Sequence, residues 1–325
     1  MAAHPTSDGE WMAAAARLAS RARPLSRPNP GVAALLVRDG RMLARGWTRE
    51  NGRPHAEAAL FDDFDGSARG ATLYVTLEPC AHESQRGPAC ADVISKARPK
   101  RVVIGQHDPD PRTAGKGIAH LKRAGIETVL LDDDTSAASL AGYLSVRTRK
   151  RPHVTLKIAV SLDGCIALAD GSSRWITGEA ARAHVHAQRA KNDAILVGGG
   201  TWRADRPRLD VRLPGLEDRS PRRIILTRGV KPDDVSIINR PQQIGELEEV
   251  QYLYVEGGGE TAASFLKADL VDELHIYRAP ILIGDGRRAV SALGLADLSE
   301  AHGRWRLADR RQLGSDEFTA YLRTR

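Results

Sequence analysis

Two short segments carry residue types that can bind zinc and move a proton. Pro54-His55-Ala56-Glu57 is followed, 23 residues after Glu57, by Cys80 in Glu78-Pro79-Cys80, and a second cysteine stands at Cys90. One imidazole and two thiolates balance the charge of Zn²⁺ and leave a fourth position open for water. Glu57 is then the carboxylate that takes a proton from this water and passes it to a leaving amine. The set predicts a hydrolytic zinc deaminase with His55, Cys80 and Cys90 as metal ligands and Glu57 as the catalytic group.

The spacing of His55 and Glu57 limits where the pair can work. Residues two apart do not share a helix face, so the pair requires a helix that starts at His55, and Pro54 stands at the helix entry. The alternative is a surface His and Glu beside two buried structural cysteines, since free cysteine is among the most buried residue types. His-Ala-Glu alone favours that alternative. The Glu-Pro-Cys that closes a strand and the cysteine that opens a helix favour the metal site.

Alternating strands and helices predict an α/β architecture with a largely parallel sheet for the elements that position these residues. In the first half we expect helices at 11–23, 55–61, 90–97 and 117–124, and strands at 32–37, 41–47, 71–77, 101–105 and 128–131. In the second half we expect strands at 154–160, 194–197, 223–227, 251–255 and 273–279, and helices at 178–190 and 261–268. The acidic run 132–134, a short helix and the basic stretch 147–151 mark a boundary between domains 1–150 and 151–325.

The composition is that of a soluble globular protein, and 325 residues favour two domains. Three cysteines argue against a disulfide framework. No apolar run approaches the ~20 residues that cross a bilayer, and the start lacks a signal-peptide pattern, so we expect a cytoplasmic protein with no membrane partner. The net charge of +7 suggests an anionic partner. Because 39 of the 48 basic residues are arginines spread along the whole chain, we expect phosphorylated small molecules and no nucleic acid.

The distance between the cysteines departs from the Cys-x-x-Cys of nucleobase deaminases, because nine residues intervene. This wide loop, Pro28-Asn29-Pro30-Gly31-Val32 and Asp108-Pro109-Asp110-Pro111 resemble the deaminase half of the bifunctional riboflavin-biosynthesis deaminase-reductase family. The resemblance implies a cytidine-deaminase-like three-layer α/β/α domain that deaminates 2,5-diamino-6-(5-phosphoribosylamino)pyrimidin-4(3H)-one. It also implies that Asn29 contacts the pyrimidine and that segments 82–86 and 108–117 approach the ribose phosphate.

The second half is similar to the reductase half of the same family, which has a dihydrofolate-reductase-like α/β fold. The motifs are 156–164, 173–177, 198–201, 204–212 and 256–260. The resemblance implies that NADPH reduces the ribosyl group to ribityl, and that the protein is a homo-oligomer, a dimer or tetramer. By position, the implied NADP-binding residues are Val160, Trp175, Thr201, Asp205, Gly258, Gly259, Glu260 and Thr261. The implied substrate-binding residues are Ser173, Arg189, Leu209, Arg212 and Glu256.

Physical chemistry supports a nucleotide site in this half. Gly257–Gly259 follow an apolar strand and open a helix, so their backbone amides and the helix dipole can hold a phosphate. A lone glycine triplet is more often a tight turn, but Gly198–Gly200 form a second triplet after a second strand. No Gly-x-Gly-x-x-Gly follows a strand, so a Rossmann site is not expected.

Three charged residues are candidates for specific roles in the reduction. Lys157 and Asp205 are the candidates for polarising or protonating the sugar; the alternatives are a strand-end lysine that extends to solvent and an N-cap aspartate. Arg228 is the candidate for the 2′-phosphate of NADP, and the alternative is a solvated surface arginine.

Four positions depart from the family pattern. Thr48 stands where a histidine is usual, Asp110 for asparagine, Arg206 for aspartate and Cys165 for a basic residue. We expect Asp110 to repel a substrate phosphate unless it is turned away. Two other functions stay open: a nucleobase or tRNA deaminase with an unrelated nucleotide-binding second domain, and a non-catalytic binder of nucleotides or RNA, which the net charge suggests.

Overall fold

The chain divides between Lys150 and Arg151 into two units, Met1–Lys150 and Arg151–Arg325, in a computed structural model that describes residues 7–82, 87–229 and 235–325. The first unit contains α1 (Asp8–Ala19), β1 (Ala33–Arg38), β2 (Arg41–Trp47), α2 (Ala56–Asp62), β3 (Thr72–Leu77), α3 (Cys90–Ala97), β4 (Arg101–Gln106), α4 (Lys116–Arg123), β5 (Glu127–Leu130), α5 (Asp134–Ser139) and α6 (Ala141–Arg149). Short 3-10 turns cover Ser20–Ala22 and Glu50–Gly52.

The strands of the first unit form one sheet in the order β2-β1-β3-β4-β5. Asp39 and Gly40 both have positive φ and form the two-residue turn that pairs β1 with β2 antiparallel. β1 is also antiparallel to β3, and only the pairs β3–β4 and β4–β5 are parallel. The sheet is therefore mixed, and the expectation of a largely parallel sheet is wrong for this unit because the hairpin reverses the chain.

Both faces of this sheet are covered, which makes three layers. Ala34 and Leu36 of β1 pack on the side of α2, α3 and α4, in a cluster with Leu60 and Ile94. The alternate residue Leu35 packs on the other side against α1. A strand buried on both faces has an unbroken apolar sequence, which is why 32–37 was recognisable. The three-layer α/β/α arrangement expected for this half is therefore observed.

The second unit contains β6 (His153–Val160), β7 (Cys165–Leu168), α7 (Glu179–Arg189), β8 (Ala194–Gly198), α8 (Gly199–Asp205), β9 (Arg222–Leu226), β10 (Ser236–Ile238), β11 (Tyr252–Val255), α9 (Gly259–Lys267), β12 (Glu273–Arg278), β13 (Gly286–Arg288), β14 (Trp305–Leu313) and β15 (Asp316–Arg323). Its 3-10 turns are Glu217–Arg219, Pro241–Glu246 and Leu298–Ala301. Among the described residues, no helix is long and apolar enough to cross a membrane.

The larger sheet of the second unit runs β10-β9-β8-β11-β6-β12-β15-β14. In this order, the six strands β10, β9, β8, β11, β6 and β12 pair in parallel with one another. Strand β15 is antiparallel to β12, and β14 is antiparallel to β15 at the edge of the sheet. Phe265 of α9 packs on one face, and Val185 of α7 packs on the other. The α/β fold expected for this half is therefore observed, with helices on both faces of the sheet. Because β8, β11 and β6 are adjacent and parallel, their carboxyl ends meet at one edge, where α/β proteins bind ligands.

Candidate active sites

His55 and Glu57 lie at the start of α2, as their spacing requires. His55 immediately precedes the helix and Glu57 lies in its first turn, where its side chain is buried. Gly46 of β2 allows the helix to approach the sheet, because a Cβ at this position would lie 2.3 Å from the Ala56 carbonyl oxygen. The close contact with β2 therefore fixes the distance between the start of α2 and the sheet. This distance sets the positions of the His55 and Glu57 side chains.

Cys80 and Cys90 meet His55 in spite of the nine-residue loop between them. Cys80 follows β3 and Cys90 is the first residue of α3. The Cys90 backbone N–H donates to Cys80 Sγ over 3.3 Å, and the Ala91 N–H donates to the Cys80 carbonyl oxygen over 3.0 Å. His55 Nδ1 lies 3.3 Å from Cys90 Sγ and 3.6 Å from Cys80 Sγ. One ligand atom from each of the three residues lies within 4.8 Å of the others, an arrangement that can hold a metal ion.

The protonation of these groups shows that the donor set suits a cation. The hydrogen bond between the two cysteines lowers the pKa of Cys80 and raises that of Cys90, whose burial raises it further. Burial raises the pKa of Glu57. Without a cation, the buried site therefore disfavours two thiolates beside a carboxylate, and a divalent ion would favour the ionised forms. One imidazole and two thiols at these distances fit tetrahedral Zn²⁺.

His55, Glu57 and Cys80 line a pocket of the first unit, together with Asn29 and Thr48. The Asn29 amide nitrogen donates to the Gly52 carbonyl oxygen over 2.9 Å and lies 3.2 Å from His55 Nε2. Asn29 therefore contacts the ring edge opposite the cysteines. Thr48 is buried, and its hydroxyl oxygen accepts from the Val32 N–H over 3.0 Å. Of the segment expected to approach the ribose phosphate, residues 83–86 lie outside the described residues.

Glu78 fixes the other predicted phosphate segment, 108–117. Its buried carboxylate accepts hydrogen bonds from the backbone N–H groups of Gly115, Gly117 and Ile118 over 3.1, 3.1 and 3.2 Å. A further N–H, that of Asp108, lies 3.4 Å from Glu78 Oε2. The motif Glu78-Pro79-Cys80 thus has two functions. Cys80 is a predicted metal ligand, and Glu78 anchors segment 108–117 at the pocket wall.

Asp110 does not face the pocket as an isolated negative charge, although it is part of the pocket lining. Its side chain is 5% exposed. Arg112 Nη2 donates to it over 2.7 Å, and Arg147 Nη2 forms an ion pair with it at 3.1 Å. The Arg112 guanidinium holds the pKa of Asp110 well below its usual range, and the charge of Arg147 contributes. All three residues line the pocket. The Asp110 carboxylate is thus paired with two guanidinium groups of the pocket lining.

Two adjoining cavities of about 610 and 800 Å³ lie at the carboxyl ends of the parallel strands of the second unit, within the ~300–1,000 Å³ range of ligand sites. Both are lined by Ser173, Thr201, Asp205 and Gly258. The first is also lined by Lys157, Trp175, Arg189, Leu209, Arg212 and Glu256. The second is also lined by Arg228, Gly259, Glu260 and Thr261. Val160 is the exception among the predicted residues, because it is buried in the core and lines neither cavity.

The two glycine triplets both open helices, and they lie side by side. Gly198 precedes α8 and Gly258 precedes α9. A Cβ at Gly198 would lie 2.2 Å from the Thr261 hydroxyl oxygen, so only glycine permits this approach. Helix α9 begins at Gly259, two residues before the expected start. The N-terminal amides of α9 therefore face the cavity that Arg228 also lines.

Lys157 belongs to an ion cluster in the first cavity. It lies inside β6, with its Nζ 3.9 Å from Glu256 Oε2, so the alternative of a strand-end lysine extended to solvent is wrong. Burial lowers the pKa of Lys157, partly offset by Glu256. Burial opposes ionisation of Glu256, but the charges of Arg189 and Lys157 outweigh it and lower its pKa. Arg189 donates to both Glu256 oxygens, over 2.6 and 2.9 Å, and to the Asp210 carbonyl oxygen over 2.9 Å.

Asp205, Trp175 and Cys165 differ in their positions and in their exposure to solvent. Asp205 is the last residue of α8 and Arg206 caps its C-terminus, so the N-cap alternative for Asp205 is wrong. Trp175 is 66% exposed, with the Arg182 guanidinium 4.8 Å from its ring centre. Cys165, which stands where a basic residue is usual, is fully buried.

Sequence reasoning missed Glu78, Tyr143 and Arg147 as parts of the deaminase-like site. Tyr143 and Arg147 lie one turn apart on α6, a helix that carries none of the recognised motifs. No local pattern identifies them, because their role comes from partners distant in sequence. Glu78 was visible only as a neighbour of Cys80.

Comparisons with known proteins agree with this division of the chain. The family model described as RibD C-terminal domain matches residues 152–318. The model described as cytidine and deoxycytidylate deaminase zinc-binding region matches residues 5–106.

Similar proteins span nearly the full length of the chain. The riboflavin biosynthesis protein RibD of Haemophilus influenzae is 35% identical, over 96% of each chain. That of Escherichia coli K12 is 33% identical, over 95% of this chain and 97% of the other. The solved structure of Acinetobacter baumannii RibD is 34% identical with a TM-score of 0.85, over 98% of this chain and 99% of that one. The Thermotoga maritima structure titled as a diaminohydroxyphosphoribosylaminopyrimidine deaminase and 5-amino-6-(5-phosphoribosylamino)uracil reductase has a TM-score of 0.85 at 29% identity, with the same coverage.

Proposed function

The chain belongs to the RibD family of riboflavin-biosynthesis enzymes, which join a deaminase to a reductase, and from this premise we propose its substrate and the roles of its residues. The substrate is 2,5-diamino-6-(5-phosphoribosylamino)pyrimidin-4(3H)-one. The first unit, residues 1–150, removes the ring amino group, and the second, 151–325, reduces the ribosyl group with NADPH. The observation that carries the proposal is the buried Glu57 beside the converging donors of His55, Cys80 and Cys90.

In the deamination, the protein residues position the ring and move protons. A bound Zn²⁺ would supply the acidity that lets water attack at neutral pH. Glu57 accepts the proton from the attacking water and delivers it to the departing amino group, a two-way role that suits a buried carboxylate beside the metal ligands. Asn29 lies against the His55 ring on the side opposite the cysteines and contacts the pyrimidine.

In the reduction, one of the two adjoining cavities of the second unit binds NADPH and the other binds the substrate. NADPH would supply the hydride. Thr201, Gly258–Thr261 and the N-terminal amides of α9 hold its phosphates, and Arg228 meets the 2′-phosphate. Trp175 and Asp205 complete the cofactor site, and Val160 supports it from the core. Ser173, Leu209, Arg212, Arg189 and Glu256 hold the substrate.

Lys157 is the proposed proton donor of the reduction. Burial lowers its pKa towards the working pH, while Glu256 keeps it charged and oriented. Asp205, which borders both cavities, is the alternative donor.

An assay of the purified protein tests both steps. With the diaminopyrimidinone phosphate, zinc and NADPH, we expect ammonia release followed by NADPH oxidation. Absence of both would overturn the proposal. The competing function, a nucleobase or tRNA deaminase with an unrelated second domain, predicts ammonia from cytosine, adenine or tRNA and no NADPH oxidation. The reductase-family match over 152–318 does not favour it.

We also propose a cytoplasmic homo-oligomer, a dimer or tetramer, from the family resemblance alone. Light scattering of the purified protein tests the assembly, and a monomer at micromolar concentration would contradict it.

A further inference from the structure

A carboxylate shared by two arginines lies in the lining of the deaminase pocket. The Arg112 side chain donates to Asp110 Oδ1 through Nε over 3.0 Å and to Oδ2 through Nη2 over 2.7 Å. Arg147 reaches the same Oδ2 through Nη2 over 3.1 Å. The carboxylate is 5% exposed, whereas the side chains of Arg112 and Arg147 are 63% and 40% exposed. The anion is thus buried beside two more exposed cations that line the pocket.

The position of Arg147 is fixed from a second side. Its guanidinium carbon lies 5.3 Å from the ring centre of Tyr143, one turn earlier on α6. The Tyr143 hydroxyl donates to Asp108 over 2.7 Å, and Asp108 accepts the backbone N–H of Asp110 over 2.9 Å. Arg147 is therefore held by Asp110 and by a tyrosine that is bonded to the same segment. Such double restraint lowers the entropy that a long side chain loses when it binds a ligand.

The remaining donors suit a phosphate. A guanidinium has five N–H donors in a planar fork. Asp110 accepts from Nε and Nη2 of Arg112, and Nη2 of Arg147 forms an ion pair with it. Within the described residues no second acceptor contacts either guanidinium group, so their remaining N–H groups can bind an anion. Paired guanidinium groups are the usual protein ligands of phosphate oxygens.

We propose that Arg112 and Arg147 bind the phosphate of the deaminase substrate, and that Asp110 is a positioning residue that sets the two guanidinium groups. The inference rests on the proposed function, because it names what that pocket selects: the phosphorylated riboside over the unphosphorylated one. Asp110 then has a positive role where asparagine is the usual residue. Its charge organises two cations instead of opposing the ligand.

The experiment measures ammonia release without NADPH, so that only the deaminase step is observed. The substrates are the diaminopyrimidinone riboside with and without its 5′-phosphate. The variants are Arg112→Met, Arg147→Met and Asp110→Asn, since methionine keeps the packing of the aliphatic stem and removes the charge. Arg123→Met is the matched control, because Arg123 is an exposed arginine of the same unit that donates to a carbonyl of its own helix and does not line the pocket.

We expect each arginine variant to raise KM for the phosphorylated substrate about 10-fold with little change in kcat, because the phosphate does not react and its binding is uniform. Asp110→Asn should raise this KM about 5-fold. Kinetics on the unphosphorylated substrate should stay within about 2-fold of the parent enzyme for every variant, as should all kinetics of Arg123→Met. Ribose 5-phosphate should inhibit the parent and the control, and inhibit Arg147→Met about 10-fold more weakly.

Two results would overturn the inference. Equal losses on both substrates would show that the cluster only stabilises the fold. An unchanged or lower KM in Asp110→Asn would show that the carboxylate does not position the arginines. If the parent enzyme released no ammonia from either substrate, the proposed function itself would fail, and binding of ribose 5-phosphate by the parent and Arg147→Met, measured by calorimetry, would still test the phosphate site.

Discussion

Replacement of Glu78 by glutamine should loosen the wall of the deaminase pocket without touching a metal ligand. The Glu78 side chain has no solvent exposure. One oxygen accepts from Gly117 and Ile118, and the other accepts from Gly115 and weakly from Asp108. A glutamine amide keeps one acceptor oxygen and turns an NH₂ group towards the remaining N–H groups, so one strong and one weak acceptor contact are lost.

The cost follows from those contacts. A buried donor left without an acceptor costs roughly 1–3 kcal/mol, and the retained bonds weaken because hydrogen bonds to charged groups are the stronger class. The N-terminus of α4 also loses a nearby anion, worth about 0.5 kcal/mol. We therefore expect the free energy of unfolding of the first unit to fall by about 3 kcal/mol, a large share of the ~5–15 kcal/mol typical of a domain.

Hydrogen exchange monitored by mass spectrometry, combined with urea unfolding, measures this effect in the full chain. The amides of 108–118 should exchange faster in Glu78→Gln, while segments of the second unit should not change. Glu127→Gln is the matched control: Glu127 is 57% exposed and pairs with Arg101, so its loss should cost less than about 0.5 kcal/mol. Equal effects of the two substitutions would refute the anchoring role of Glu78.

Four further outcomes follow from other parts of the structure. Glu57→Gln should retain zinc by elemental analysis and lose at least about 100-fold in ammonia release, while NADPH oxidation on the already deaminated substrate survives; joint loss would contradict two separate sites. Gly117→Ala should destabilise the first unit by about 2 kcal/mol, because its Cβ would lie 2.0 Å from the Pro79 carbonyl oxygen, whereas Gly9→Ala meets nothing within 4 Å and should not destabilise. Burial lowers the pKa of His184 from 6.5 to about 4, so the folded state favours the neutral ring. The stability present above pH 6.5 is therefore lost as the pH falls towards 4, by about 2 kcal/mol once solvent screening of the half-buried ring is allowed for. His184→Gln should flatten that fall in denaturant titrations. Chelation should abolish ammonia release and make two further thiols reactive, without effect on NADPH oxidation of the deaminated substrate; unchanged thiol reactivity would argue against cysteine ligation.

The parts of the fold that could be predicted from sequence are those with strong local signals. The buried strands 32–37 and 71–77 have continuous apolar sequences, and Asp39-Gly40 specifies its own turn. The missed elements lack such signals. Strand β14 is partly or fully exposed along its length and rich in arginine, and α8 opens with two glycines that disfavour a helix. Strand β14 pairs with β15, which joins it to the sheet through the distant strand β12. Helix α8 packs beside β8 and β9. These tertiary contacts are not contained in a local sequence pattern.

The same distinction separates the two parts of the deaminase site. The metal ligands and Glu57 could be identified from sequence because zinc limits both the residue types and the helix geometry, so short motifs carry most of the information. The effect of Asp110 on phosphate binding could not be identified from sequence, because it depends on which cations pair with the carboxylate. Considered alone, it repels a phosphate; with Arg147 brought alongside by α6, it becomes the residue that holds two cations in place. A charged residue that departs from a family motif is therefore best interpreted only after its long-range partners are known, because the partner determines whether the departure weakens a ligand site or builds one.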